Sequence, residues 1–424
     1  MTIRAISQED GLRGTQAPWP ASRLARGLAA GAPGWVVAAA LLWALASPPA
    51  LATTIATQAV AGTAVLSAVA CPSATTCEAV GLNRLGQGVV VPITNGTPGD
   101  AQVVSGAGLR GVACPNEAAC EAVGLNGLGQ GVVVPIINGS PGDAQVVPGT
   151  SVLIGVACSS EAKCEAVGDN ASGQGVVVPI TNGIPGAGQV VSATAVLSGV
   201  ACPSDASCEA VGDNASGQGV VVPITSGVPG DAYVVPGTSD LIAAACPSPT
   251  TCEAVGGGVR GGVVVAIRSG APGEAYVVPG SGLIGVACPA ATTCEAVGLN
   301  HLNQDVVVPI TNGAPGPAHV VLGKALIAVA CPSATTCEAV GVMQNDPSDL
   351  GLVVAIPVAD LGGRSGSHGQ VLVWASVAGV VLVILALGVS YALWGRAGSR
   401  LRPRPGTSWR PSAPGAGGTS WRPK

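Results

Sequence analysis

The sequence predicts an all-β fold, a seven-bladed β-propeller, and three observations carry that reading. CPSATTCEAVG is spelled at Cys71–Gly81 and again, without a change, at Cys331–Gly341, with five looser copies between. The first cysteines of the seven copies fall 43, 44, 44, 44, 42 and 43 residues apart, a fixed period that marks a repeat architecture. Each unit also holds four short runs rich in Val, Ile and Ala, punctuated by Gly, Pro, Asn and Ser, which read as strands between turns. In the third unit these runs are Leu153–Cys158, Cys164–Val167, Gly175–Ile180 and Gly188–Val191. Four strands per unit at this period is blade spacing. Gly and Pro are too frequent for a helical repeat, and a parallel β-helix is the runner-up.

In chain order, residues 1–52 come first. Arg4, Arg13, Arg23 and Arg26 precede the apolar run Val36–Ala46 and then Ala50-Leu51-Ala52, the order of a secretory signal peptide with its cleavage site. Next, Thr57–Leu66 (TQAVAGTAVL) overlays Ala144–Leu153 at a shift of 87, placing Gln58 on Gln145, Gly62 on Gly149 and Leu66 on Leu153. It is therefore a fourth strand with no blade before it. The last unit stops after Gly351–Leu361 without a fourth strand. The N-terminal strand is expected to complete blade seven, closing the ring and covering an edge. The propeller spans 53–361.

Residues 362–370 read as a flexible polar linker. Val371–Trp394 is uncharged over 24 residues, about 36 Å as a helix, enough to span a bilayer core. The tail 395–424 carries seven basic residues and no acid, so it is expected in the cytoplasm and the propeller outside: a single-pass type I protein of the cell membrane. The tail repeats GTSWRP at Gly406–Pro411 and Gly418–Pro423, which suits an anionic lipid surface or a Pro-rich docking segment. Residues 53–370 hold 21 acids and 7 bases, net −14, which argues against nucleic acid as a partner.

The fourteen cysteines fall in seven pairs: Cys71/Cys77, Cys114/Cys120, Cys158/Cys164, Cys202/Cys208, Cys246/Cys252, Cys288/Cys294 and Cys331/Cys337. In an exported chain such pairs read as disulfides, each closing one hairpin and contributing about 2 kcal/mol. Zinc is the competing reading, but thiolate sites favour closer ligand spacing. The ectodomain has no Phe or Trp, so its core must be built from aliphatic side chains. No cofactor is implied.

The pattern C-x5-C-x-A-V-G, followed by a short apolar strand and a Thr-Asn-Gly turn, resembles the Cys-containing tandem repeats of bacterial secreted β-propellers. These are similar to the sialidase-like (Asp-box) and photosystem-assembly-factor-like propellers. The resemblance covers about residues 53–361. Asp-box turns carry S-x-D-x-G-x-T-W, whereas this chain has ITNGTPGDA at Ile93–Ala101 and no tryptophan between Trp43 and Trp374. The resemblance implies the fold and not the glycosidase chemistry.

Three sets of residues are candidates for function. Glu78, Glu121, Glu165, Glu209, Glu253, Glu295 and Glu338 follow the second cysteines and are expected at one common radius. They either accept hydrogen bonds from hairpins or ring a hard cation. Gln58, Gln102, Gln145, Gln189, Tyr233, Tyr276 and His319 form a column in the outermost strand, where changes are expected to be neutral. The loops between second and third strands vary most and share one face of the disc. A ligand face is expected there, around Arg84, Arg260, His301, Asn303, Asp305, Asn345, Asp346 and Asp349.

The sequence leans away from catalysis, because no histidine sits in a nucleophile–base motif and no arginine cluster accompanies a tyrosine. Cys164–Gly186 and Cys208–Gly230 differ at two of 23 positions, and interchangeable blades suit a scaffold better than a one-off active site. The expected function is a membrane-anchored extracellular binding or envelope-scaffold module with a protein or glycan partner. The alternative is a degenerate propeller hydrolase or lyase acting on envelope glycans.

Overall fold

A computed structural model describes residues 57–321, 325–343 and 350–358. The signal, linker, membrane-span and tail segments lie outside the described residues, as do Asn345, Asp346 and Asp349. Among the described residues no helix is long and apolar enough to cross a membrane.

Seven antiparallel sheets follow one another along the chain. Blade 1 runs from an inner strand, Val65–Ala70, through Thr76–Leu82 and Gly88–Thr94 to an outer strand in two pieces, Thr97–Pro98 and Gln102–Val104. The outer strand is interrupted between Pro98 and Gln102, unlike the single run expected. Blade 5 carries the equivalent of the Pro98-Gly99 step, Pro272-Gly273, inside an unbroken outer strand, Ala271–Pro279. In blade 7 the strands Ala325–Ala330, Thr336–Val342 and Gly351–Pro357 are completed by Thr57–Val60. Its register sets Thr57 opposite Val354, Gln58 opposite Val353 and Val60 opposite Gly351. The expected closure is present.

The joint this makes is equivalent to joints within the chain. The Thr63 hydroxyl donates to Val60 O at 2.7 Å and accepts from Gly351 N at 2.9 Å. Thr238 does the same for blade 4, with Val235 O at 2.7 Å and Gly219 N at 3.0 Å. The strand supplied from 288 residues away is thus fastened by the same kind of hydroxyl as the joints of Thr150, Thr194 and Thr238.

The core lies between blades. Val80 and Val90 of blade 1 pack with Leu109, Ala122, Val132 and Ile136 of blade 2, and Val340 and Val353 of blade 7 pack likewise on Leu66, Ala79, Val89 and Ile93. Each wholly buried Val or Ile contributes about 1.5–3 kcal/mol, so repeated aliphatic joints replace the missing aromatics.

All fourteen cysteines are disulfide-bonded within their own repeats, tying each inner strand to its second strand. The bonds are Cys71–Cys77, Cys114–Cys120, Cys158–Cys164, Cys202–Cys208, Cys246–Cys252, Cys288–Cys294 and Cys331–Cys337, with Cα separations of 3.9 to 4.1 Å. The first cysteine of each pair is half-buried, but Cys77, Cys120, Cys164, Cys208, Cys252, Cys294 and Cys337 are buried in the cores between blades. Cys120 packs with Leu109 and Ile136, and Cys337 packs with Leu326 and Ile356. The reason is the pleat: the cysteine and the alanine two residues on face the same side of the second strand, which the neighbouring blade covers. These seven sulfurs are therefore core residues rather than an accessible site.

Strand direction gives the disc two faces. The hairpins that carry the disulfides and the turns after the third strands lie on one, the hairpin face. The loops between second and third strands lie on the other, the loop face, as the sequence implies.

Candidate functional site

In blades 1 to 6 the turn after the third strand is a two-residue loop with both residues at positive φ, as at Asn95 (φ 50°) and Gly96 (φ 71°). This is the hairpin turn that matches strand twist, and it favours Asn-Gly. Each turn lies against the preceding blade. A Cβ added to Gly139 would stand 3.2 Å from Glu78 Oε1, and one added to Gly183 would stand 3.1 Å from Glu121 Oε1. The same relation holds for Gly96 with Glu338, Gly227 with Glu165, Gly270 with Glu209 and Gly313 with Glu253. The glutamates therefore sit one per joint rather than around a shared ion. Among the described residues no three acids, histidines or cysteines gather to hold a metal, so the cation reading falls.

The hydrogen-bonded alternative also needs correction. Oε2 of all seven glutamates is buried with no hydrogen-bond partner among the described residues. Burial pushes Glu78, Glu121, Glu165, Glu209 and Glu295 up to about 7, opposed at Glu165 by nearby Lys163. Burial also raises Glu338. Glu253 is raised by burial too, but Arg268 opposes the shift through an ion pair at 3.2 Å. Arg268 occupies the strand position held by Thr94, Thr181, Thr225 and Thr311 in other blades.

The outer-strand column is not neutral. Gln58, Gln102, Gln145 and Gln189 each donate from Nε2 to the turn carbonyl of the next blade: to Gly96 O at 2.6 Å, Gly139 O at 2.6 Å, Gly183 O at 2.8 Å and Gly227 O at 2.7 Å. The sequence implies an outer strand that faces solvent on this side, but the neighbouring turn covers it. Tyr233, Tyr276 and His319 replace glutamine at the next three joints, and no side chain bonds Gly270 O or Gly313 O among the described residues.

On the loop face, the blade 1 loop is closed by its first residue. Asn83 Oδ1 accepts from Leu85 N and Gln87 N, both at 2.9 Å, and Asn83 Nδ2 donates to Gln87 Oε1. Asn126, Asn170, Asn214 and Asn300 repeat this loop. The rigid turn lifts its central residue into solvent, leaving Leu85 82% and Leu128 84% exposed. Leu302 is also exposed in blade 6, and Val259 in the two-residue turn of blade 5, while Ser172 and Ser216 take that place in blades 3 and 4. Arg84, Arg260 and His301 are exposed on this face, as is Asn303. Asp305 is not. It is fully buried at the strand position of Gly88 and accepts from Leu326 N at 2.7 Å. The sequence carries Gly323, as it carries Gly106 and Gly280, where Thr63, Thr150, Thr194 and Thr238 stand three residues before the buried leucine, and at this joint the Asp305 carboxylate bonds across instead.

The set that sequence reasoning missed lines the axis. In every blade the inner strand skips one residue of register against its neighbour. The skipped residues are Ser67, Arg110, Ile154, Ser198, Ile242, Ile284 and Ile327, and all seven line one central cavity of about 480 Å³. A β-bulge re-aims a side chain, and here seven bulges form a ring. Gly111, Gly155 and Gly199 let adjacent inner strands come close: a Cβ on Gly111 would stand 2.6 Å from Ile154 O. Arg110 is the only charged residue in the wall, and no hydrogen bond or ion pair engages it among the described residues.

With the geometry in view, comparison with known proteins places the fold. No family model matches the chain, and no curated protein matches it. The chain is a disulfide-bonded repeat β-propeller. It is similar to the WD40 β-propeller domain of Doa1, with a TM-score of 0.52 and 12% identity over 71% of this chain and 95% of that one. It is similar to YCF48 bound to D1 peptide, with a TM-score of 0.51 and 11% identity over 76% of this chain and 99% of that one. U3-55K gives 0.52 at 9% identity over 71% and 98%. At these identities the likeness shows the fold alone.

Proposed function

We propose that this propeller is an interaction module that recognises an extracellular protein or glycan partner with its loop face. The observation that carries the reading is a division of labour. The repeated residues, namely the cysteines, the joint glutamates, the turn glycines and four glutamines, all hold the ring together. Apart from Tyr233, Tyr276, His319 and Arg268 at the joints, the residues that vary stand on the loop face and in the axial ring, where a partner can reach them. A cavity wall of aliphatic side chains and glycines, with two serines and one arginine, favours binding over hydrolysis, which needs a positioned acid–base pair.

The segments outside the ring complete the proposal: a signal peptide over 1–52, a linker over 362–370, a span over 371–394 and a cytoplasmic tail over 395–424 that meets anionic lipid. The third strand of blade 7 ends on the hairpin face at Pro357. An anchor attached there leaves the loop face pointing away from the attachment point. Photo-crosslinking residues at Leu85 and Leu302 should give partner adducts on whole cells, whereas the same probe at Thr75 and Asn116 should not. Adducts from the hairpin-face positions alone would reverse the assignment.

A further inference from the structure

We infer that the axial cavity is a binding site for an alkyl chain ending in a carboxylate. This goes beyond the loop-face reading and does not depend on it. Three features of the ring meet here. The seven bulges aim seven side chains into one cavity of about 480 Å³, and these are residues the repeat does not hold constant. Four of them are isoleucines, from consecutive blades 5, 6 and 7 and from blade 3. Arg110 enters this wall as its one charge, exposed to the channel solvent and with no partner among the described residues. An unpaired guanidinium beside aliphatic side chains is half of an interaction, because its planar fork matches a carboxylate with two parallel hydrogen bonds.

The wall also selects the chain attached to the carboxylate. Apart from Arg110, only Ser67 and Ser198 offer side-chain hydrogen bonds. A peptide would bring an N–H and a C=O per residue past side chains that offer them little beyond these two serines, so its partners would have to be the free backbone edges of the inner strands. A hydrocarbon chain brings neither group. Val112, Val156 and Val200 stand two residues beyond the bulge toward the hairpin face, so the apolar wall continues where the chain would lie. Arg110 sits nearer the loop face and would hold the head there.

The test uses the purified full-length chain titrated with octanoate, with the Arg110→Ala protein in the same preparation as the blank for non-specific partitioning. Octanoate should saturate one site per chain, butyrate should bind more weakly, and octylammonium should show no saturable site. Arg110→Ala should weaken octanoate by about tenfold or more, and Arg110→Lys should recover part of that loss. Ile242→Asn, which leaves the guanidinium in place, should also weaken it. Melting curves of each variant establish that the ring is folded. Equal binding of octanoate to wild type and Arg110→Ala would overturn the assignment. So would a short peptide with a free C-terminus that displaces octanoate at lower concentration, which would make the ligand a peptide.

Discussion

Two arcs of the ring solve the same problem differently. From blade 7 through blade 4, four successive joints each pair a glutamate whose Oε2 is buried with a glutamine that holds the next turn carbonyl. From blade 4 through blade 7 the glutamine is gone. Tyr233 leaves the joint between blades 4 and 5 without that bond, Arg268 neutralises Glu253 at the following joint, and Asp305 replaces a hydroxyl before blade 7. The contrast separates the fixed parts of a joint from the interchangeable ones. The aliphatic packing and the glutamate recur from blade to blade, while the polar fastening is exchanged at some joints and absent beside Tyr233. The joint made by the first strand, with Gln58 and Thr63, belongs to the regular arc.

The glutamates are the largest lever, because five share a raised value near 7 and have no cation to offset burial except Lys163 near Glu165. A carboxyl with a raised folded pKa holds its proton more tightly in the folded state than when unfolded. Its stabilisation is complete below about pH 4 and is lost as pH rises through 7. The propeller should therefore melt lower at pH 8 than at pH 5, by more than about 5 °C. Glu121→Gln should raise the pH 8 melting temperature and leave the pH 5 value nearly unchanged. A melting temperature that is flat or rises over this interval would contradict the joint assignment.

Arg268 separates the arcs more selectively. Arg268→Ala strips the counter-charge from Glu253 and should cost about 2 kcal/mol at pH 8, discounted because the arginine is half exposed. The loss should shrink at pH 5, where Glu253 can take a proton. Thr225→Ala, at the same strand position one blade earlier, should stay within about 0.5 kcal/mol. Urea midpoints at the two pH values check both.

Smaller effects should distinguish the glutamine joints. Gln145→Ala removes the bond to Gly183 O and should cost about 1 kcal/mol. Tyr233→Gln offers the missing bond to Gly270 O and should gain less than that. If both substitutions are silent in urea titrations, the glutamine contacts add nothing and the arcs differ only in sequence.

The architecture is legible because the repeat writes each blade seven times and displaces one strand to the front. The overlay of Gln58 on Gln145 identifies the closing strand from the sequence alone, and the even cysteine spacing identifies the disulfides. The burial of Cys77 and its six equivalents is not legible in the same way, nor is the environment of the glutamates. Which side of the second strand faces a neighbour depends on how blades stack. Gln102 defies a sequence reading for the same reason: the turn that covers it comes from 37 residues further on. Asp305 reads as a loop residue because it follows Gln304, yet at that step the chain enters the third strand and the core. The axial ring leaves no periodic signal at all. A bulge shifts register without changing composition, so Arg110 looks like one more inner-strand variation among Ser67, Ile154 and Ser198.

The closed ring itself is most directly tested by amide hydrogen exchange across Thr57–Val60 in the full-length chain. Paired to Val354 through Gly351, these amides should exchange as slowly as those of the outer strand Ala271–Pro279, which is continuous with its own blade. Exchange of Thr57–Val60 at the rate of an unstructured segment, with Ala271–Pro279 still protected, would mean that the first strand does not close the propeller.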